Sequence, residues 1–224
     1  MIPKRSAPLL LALGLGLALL GLGVWCRARA GEARAWPAGT VLAVGERPIL
    51  AAEVDAIAAA LESAEPRYAE PMRRRLALTK VLFPLVAGEL EAPRERERAR
   101  ARAVERMALL QAGQEPEGEP GLELEGNWLE LGITLWLGLA ALEPGQSALH
   151  EVPGAFVLLR LLDRDRNPQR PLERFRLRAL EFPYAVDRAG LDERVFDYHL
   201  EIVDPQYRRL VPLLWQHRMP GGSR

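Results

Sequence analysis

The stretch GAFVLLRLLDRDRNPQRPLERFRLRALEF, residues 154–182, contains two apolar segments that are separated by a polar, proline-containing loop. Residues 155–162 are almost continuously apolar, which is typical of a buried strand. In the second segment, charged and apolar residues alternate with the period of two that a strand with one packed face requires. The alternating residues are Arg174, Phe175, Arg176, Leu177, Arg178 and Ala179. We therefore expect the two segments to pair as antiparallel strands across the loop of residues 163–173.

Helical periodicity dominates the chain before this pair of strands. A short strand at residues 41–44 is predicted to end at Gly45, and two apolar stripes with steps of three and four then indicate helices. The first stripe is Val54, Ile57, Ala58 and Leu61, and the second is Leu76, Thr79, Phe83, Val86 and Leu90. Pro84 lies inside the second stripe, so we expect it to kink or divide that helix. Pro93 suits the start of a third helix, over residues 94–112.

The charges of the chain are balanced, with 30 Lys+Arg and 30 Asp+Glu residues. This balance argues against a general nucleic-acid-binding protein, so we expect no nucleic-acid partner. The third helix has an arginine at every second position from residue 94 to residue 102, and this pattern has two interpretations. The first is a solvated helix with the pairs Glu95–Arg98 and Glu97–Arg100. The second is a contact with anionic lipid or RNA.

An uncharged, apolar run of 20 residues, 7–26, follows Lys4 and Arg5. As a helix this run would be about 30 Å long, which is the thickness of the hydrocarbon core of a bilayer. We interpret it as an uncleaved signal anchor, a single-pass helix in the cell (inner) membrane with the rest of the chain on the periplasmic side. The alternatives are cleavage near residues 28–30, lipidation of Cys26, and the opposite orientation, because the flanking positive charges are nearly equal.

The remaining sequence predicts a linker, a short apolar helix and two C-terminal helices. Their ranges are 113–121, 133–142, 191–202 and 206–217, in that order. One cysteine and three scattered histidines leave no residue pattern for an intrachain disulfide or a zinc site. No glycine-rich phosphate loop or dinucleotide motif is present. We therefore predict no catalytic residue, no metal ligand and no cofactor.

Two parts of the sequence resemble SurA/PrsA-type periplasmic chaperones. Residues 41–49, VLAVGERPI, followed by Glu53-Val54-Asp55, resemble the strand, turn and helix that open the N-terminal domain of that family. Four later stretches resemble the end of its parvulin-type (PpiC-type) peptidyl-prolyl isomerase domain. They are GNW (126–128), LEPGQS (142–147), GAFVLL (154–159) and DR (163–164).

This resemblance implies an α+β fold in four regions. They are an anchor and linker (1–35), a helical SurA-like region (36–115), a degenerate, truncated parvulin-like region with a small antiparallel sheet (116–182), and C-terminal helices (183–224). It also implies an apolar peptide-binding pocket that is lined by Trp128, Trp136 and Phe156. The alternative is that these three aromatic side chains only fill a core.

The paired catalytic histidines of the parvulin family have no counterpart in this sequence. Phe156 stands at one histidine position, and Leu180 or Glu181 stands at the other. We therefore expect a membrane-anchored, chaperone-like protein that binds unfolded or extended polypeptide, with little or no prolyl isomerase activity. The alternatives are an active, divergent prolyl isomerase and a bitopic scaffold protein that binds one fixed partner.

Overall fold

The two segments that decide the fold form the centre of a four-stranded antiparallel sheet in the computed structural model, which describes residues 35–114, 121–167 and 172–216. The strands are β1 (Thr40–Val44), β2 (Arg47–Leu50), β3 (Leu122–Gly126), β4 (Ser147–Val152), β5 (Ala155–Asp165), β6 (Arg174–Pro183) and β7 (Leu200–Ile202). The order in the larger sheet is β3-β6-β5-β4, and β5 pairs with β6 as predicted. Strands β3 and β4, which the sequence analysis did not predict, form its two edges.

Eight α-helices lie in the described part of the chain. They are α1 (Ala51–Ala64), α2 (Glu70–Leu76), α3 (Phe83–Glu91), α4 (Pro93–Gln111), α5 (Trp128–Leu131), α6 (Ile133–Leu139), α7 (Leu191–Arg194) and α8 (Leu213–Gln216). A π-helical turn, Ala77–Leu82, joins α2 to α3. The amide of Phe83 therefore bonds to Leu78, five residues back, immediately before Pro84. The wider turn leaves room for the proline ring, so residues 70–91 stay helical and the helix changes type before Pro84 instead of being divided there.

A smaller antiparallel sheet, of order β2-β1-β7, joins the two ends of the described chain. Leu42 of β1 lies opposite Ile202 of β7. The prediction of a continuous helix over residues 191–202 is therefore wrong. The described part of the second predicted helix, up to residue 216, contains only short helical turns, Pro205–Leu210 and α8. The physical reason is that β1 is buried along its whole length, so the backbone groups on both of its edges need partners.

The larger sheet has a hydrophobic core on each face. Val157 and Leu159 of β5 point into the first core, together with Trp128, Trp136 and the end of α1. The second core contains residues of β1, α3 and α7. It therefore combines side chains from the predicted regions 36–115 and 183–224, which are separated in sequence.

The predicted α+β class, with small antiparallel sheets and several helices, is confirmed. Residues Ala38–Arg224 form one compact unit, and both hydrophobic cores lie within it. We therefore expect residues 36–224 to fold without the N-terminal segment. Among the described residues, no helix combines the length and the apolar character needed to cross a bilayer. The predicted anchor at residues 7–26 lies outside the described residues, as do most of the predicted linker and the C-terminal tail.

Candidate functional site

Helices α5 and α6 hold the two tryptophans that the sequence analysis selected. The side chain of Asn127 accepts hydrogen bonds from the amides of Leu129 and Glu130, at 2.9 and 3.2 Å. The Glu130 carboxylate in turn accepts one from the Asn127 amide, at 2.9 Å, which completes a capping box. Gly132 then turns the chain with a φ of 83°, a conformation that favours glycine. The cap and the turn together place Trp128 and Trp136 on adjacent short helices.

Helix α6 rests directly on strand β4. A Cβ atom added to Gly138 would lie 2.6 Å from Cγ of His150, so only glycine allows this close contact. The Nε2 atom of His150 lies 2.8 Å from the carbonyl oxygen of Thr134 on α6. Because a carbonyl only accepts, Nε2 carries the proton in this tautomer. Burial lowers the pKa of His150, so this imidazole is neutral at pH 7.

A first cleft, of about 550 Å³, lies between the two tryptophans and the end of α1. Its walls combine small and aromatic residues, namely Ala60, Ala64, Ala140, Ala141, Trp128, Trp136 and Phe175. The edge of the Tyr68 ring packs against Trp128, with a centroid distance of 6.3 Å. The small side chains leave an open space beside the aromatic rings, and this space is the cleft.

A closed ionic cluster forms the polar end of the first cleft. Arg164 donates to both carboxylate oxygens of Glu173, at 2.6 and 3.0 Å, and to the carbonyl of Leu142, at 3.0 Å. Its guanidinium also lies 5.2 Å from the centre of the Phe175 ring. Burial would raise the pKa of Glu173, but hydrogen bonds from Arg164 and Arg166 lower it overall. The cluster therefore shapes the cleft, while its charges are already paired.

A second cleft, of about 820 Å³, lies on another side of α5 and α6 and shares Trp128 with the first. Its apolar lining includes Leu129, Leu131, Ile133, Leu135, Val152 and Pro153. The Leu129 side chain is 59% exposed. Two ion pairs lie at the same cleft, Lys80–Asp192 at 3.9 Å and Arg188–Glu181 at 2.5 Å. The second cleft is thus an apolar surface beside paired charges.

Phe156 does not lie with the two tryptophans, so the prediction that all three line one pocket is wrong in its geometry. It is 5% exposed and belongs to the second core, where its ring centre is 5.8 Å from that of Tyr184. The reason is the alternation of strand β5. Val157 faces the tryptophans, so its neighbour Phe156 faces away from them.

Phe156 instead lies beside a partly buried polar cluster. Arg96 of α4 donates to both oxygens of the Glu151 carboxylate, at 2.6 and 2.8 Å, and its guanidinium is 5.7 Å from the centre of the Phe156 ring. The Tyr184 hydroxyl donates to Glu151 at 3.0 Å. Burial and the Glu151 carboxylate raise the pKa of Tyr184, so this phenol stays protonated. The cluster ties α4 to the sheet.

The residues of both clefts that the sequence analysis missed are mostly small or aliphatic. Ala60 and Ala64 are four residues apart on α1, a spacing that places them on one helix face. Within the described ranges, no group of three or more His, Cys, Asp or Glu side chains is arranged to hold a metal ion. Comparisons of the chain with protein-family models, curated proteins and solved structures return no match. The functional proposal therefore depends on the two clefts.

Proposed function

We propose that this protein is a membrane-anchored, extracytoplasmic, chaperone-like protein that binds unfolded or extended polypeptide. The observation that supports this proposal is the pair of apolar clefts that share Trp128, on different sides of α5 and α6. Their volumes fall in the range of about 300–1,000 Å³ that is usual for ligand sites. The sequence resemblance to SurA/PrsA-type chaperones and the apolar run of residues 7–26 support the same proposal.

The chemistry of the clefts favours polypeptide as the ligand. Aromatic and aliphatic walls favour apolar side chains, because burying one stabilises a complex by about 1.5–3 kcal/mol. The half-buried Ile133, Leu135 and Leu137 leave apolar surface on α6 exposed to a ligand. The ion pairs at the second cleft keep part of its lining polar, so the backbone of a bound polypeptide can stay in contact with water there. These features suit side chains of varied shape better than one fixed small molecule.

We propose little or no prolyl isomerase activity. The barrier to rotation about a peptide bond is about 18–20 kcal/mol, and an enzyme must bind the twisted bond better than the planar one. The charged groups of the first cleft, Arg164 and Glu173, are already committed to each other. His150 is committed to α6 through Thr134. A cleft of this kind favours binding over selective stabilisation of a twisted bond.

Binding is tested with the fragment 36–224 and a fluorescently labelled, permanently unfolded polypeptide, by anisotropy. Ala141→Trp fills the first cleft from its exposed rim, and Leu129→Asp places a charge in the second. We expect each change to weaken binding about tenfold, which corresponds to the loss of one buried apolar side chain. The matched control is Leu214→Asp, because Leu214 is 57% exposed and lines neither cleft.

Three results would count against the proposal. If Ala141→Trp and Leu129→Asp both bind the polypeptide as tightly as the wild type, the clefts are not the binding site. Turnover well above background in a protease-coupled prolyl isomerase assay, lost on Trp136 substitution, would show an active enzyme instead. If the protein recovers one stoichiometric partner and does not suppress the aggregation of unrelated proteins, the alternative of a bitopic scaffold protein is favoured. The anchor is tested separately, by alkaline carbonate extraction of membranes that contain the full chain.

A further inference from the structure

Helix α4 carries unpaired arginines on its exposed surface. Ala99 and Ala103 are its only fully buried residues. Its exposed arginines are Arg94, Arg98, Arg100 and Arg102. Their side chains make no ion pair or hydrogen bond with any residue in the part of the chain that the structure describes. The pairs Glu95–Arg98 and Glu97–Arg100, which would make this an ordinary solvated helix, are not formed.

Most other arginines in the described part of the chain are engaged, with Arg75 and Arg209 as exceptions on other elements. Arg47 bonds to Glu53 at 2.6 Å, Arg164 bonds to Glu173, and Arg194 bonds to Asp187 at 2.8 Å. A row of free guanidinium groups on one helix is therefore a local feature and does not follow from the high arginine content alone.

Two of the free arginines line a cleft. Arg94, Arg98 and Arg102 are four residues apart, so they lie along one side of α4 over about 12 Å. Arg98 and Arg102 border a cleft of about 500 Å³, together with Ala101, Glu95, Pro183 and Tyr184. The Tyr184 hydroxyl is already committed to Glu151, and the lining of the cleft is mainly apolar, so Arg98 and Arg102 supply the positive charge at its border. Apolar Ala101 and Pro183 lie beside them.

We propose that Arg98 and Arg102 bind the phosphate of an anionic phospholipid headgroup at the border of this cleft, which places α4 against the membrane surface. A guanidinium fork matches phosphate oxygens geometrically and is more weakly hydrated than an ammonium group. The apolar stems of the two arginines can lie along the apolar surface at this cleft while their charged ends reach a phosphate. Glu95 lowers the net positive charge, so the contact is modest in strength and sensitive to salt.

The inference rests on the proposed membrane anchor for its biological setting. The chain between the predicted anchor and Ala38 has 11 residues, 27–37. Fully extended, it spans at most about 40 Å. A folded unit held this close to a bilayer samples its surface continuously, so even weak headgroup contacts orient it.

The test measures sedimentation of the fragment 36–224 with vesicles of phosphatidylcholine alone or mixed with phosphatidylglycerol. We expect binding only to the mixed vesicles, and loss of that binding in high salt. Each arginine near an anionic surface contributes about fivefold in affinity, so Arg98→Gln with Arg102→Gln should weaken binding about 25-fold. The matched control is Arg75→Gln with Arg209→Gln, which removes the same charge from exposed positions that do not line this cleft.

Each other outcome would overturn the inference. Equal binding to both kinds of vesicle would show that the headgroup charge is not recognised. An equal loss in both double variants would show a general charge effect. Displacement by inorganic phosphate at low concentration would indicate a soluble phosphate ligand, and tighter binding to single-stranded RNA would indicate a nucleic-acid surface. Because the fragment lacks residues 7–26, its vesicle binding is independent of whether carbonate extraction of the full chain confirms the anchor.

Discussion

Replacing Gly138 by alanine tests whether α6 is seated on β4 as closely as the structure shows. The added Cβ would lie 2.6 Å from Cγ of His150 and 2.6 Å from Cδ1 of Leu159. Ordinary carbon–carbon contacts are about 3.5–4.0 Å, so α6 must move by about 1 Å. Leu159 is fully buried and cannot move aside freely. The substitution therefore strains the wall that the first core and both clefts share.

The net effect is the difference between two opposing terms. Overpacking a well-packed core costs about 1–3 kcal/mol or more. Alanine stabilises the interior of a helix by at most about 1 kcal/mol relative to glycine, and Gly138 is next to the last residue of α6. We expect a net loss of about 2 kcal/mol in the free energy of unfolding. For a unit of this size, that loss corresponds to a decrease of about 4–8 °C in Tm.

The assay is urea unfolding of the fragment 36–224, followed by tryptophan fluorescence and circular dichroism. The urea concentration at the denaturation midpoint should fall, while the slope of the free energy of unfolding against urea concentration is unchanged. The matched control is Gly88→Ala in α3, where the nearest atoms to the added Cβ are 3.2 Å away. We expect a smaller loss there, because a shift of a few tenths of an ångström relieves the contact. A Gly138→Ala variant as stable as the wild type would refute the close seating of α6.

Two further predictions concern the polar groups on either side of the sheet. Burial lowers the pKa of His150 below its ordinary value of 6.5, so the unfolded chain binds a proton that the folded chain does not. The stability that depends on a neutral His150 is complete above pH 6.5 and is lost as the pH falls below it. The free energy of unfolding of His150→Gln should therefore decrease less than that of the wild type between pH 7 and pH 5. Parallel profiles of stability against pH would contradict this. A double-mutant cycle with Arg96→Ala and Glu151→Ala should give a coupling energy of about 1–2 kcal/mol, since both side chains are about one-quarter exposed and share two charged hydrogen bonds. Additive effects in urea unfolding would show that the pair does not join α4 to the sheet.

Local pattern was sufficient for the elements that bury one face against a core. The apolar run of residues 155–162 and the alternation after Arg174 predicted β5, β6 and their pairing, because side chains on a strand alternate between its faces. The spacing of Leu76 to Leu90 predicted a helix, and Pro84 inside it marks the place before which the helix becomes irregular. Each of these predictions needs only the residues of the element itself.

Long-range pairing was invisible to the same reasoning. The sequence around residues 200–202 predicted a helix. These residues instead form β7, because the buried strand β1 requires a partner on that edge. Edge strands β3 and β4 are defined by their partners in the sheet, and their own composition does not distinguish them from loops. Tertiary hydrogen bonding decided these three elements.

The amino-acid sequence by itself determined the α+β class, the central strand pair, most of the helices and the choice of Trp128 and Trp136. Only the tertiary structure placed those tryptophans at two clefts, moved Phe156 to the opposite face, and left Arg94, Arg98, Arg100 and Arg102 without a partner among the described residues. The physical reason is that periodicity reports which face of an element is apolar. What that face meets depends on residues that are distant in the chain.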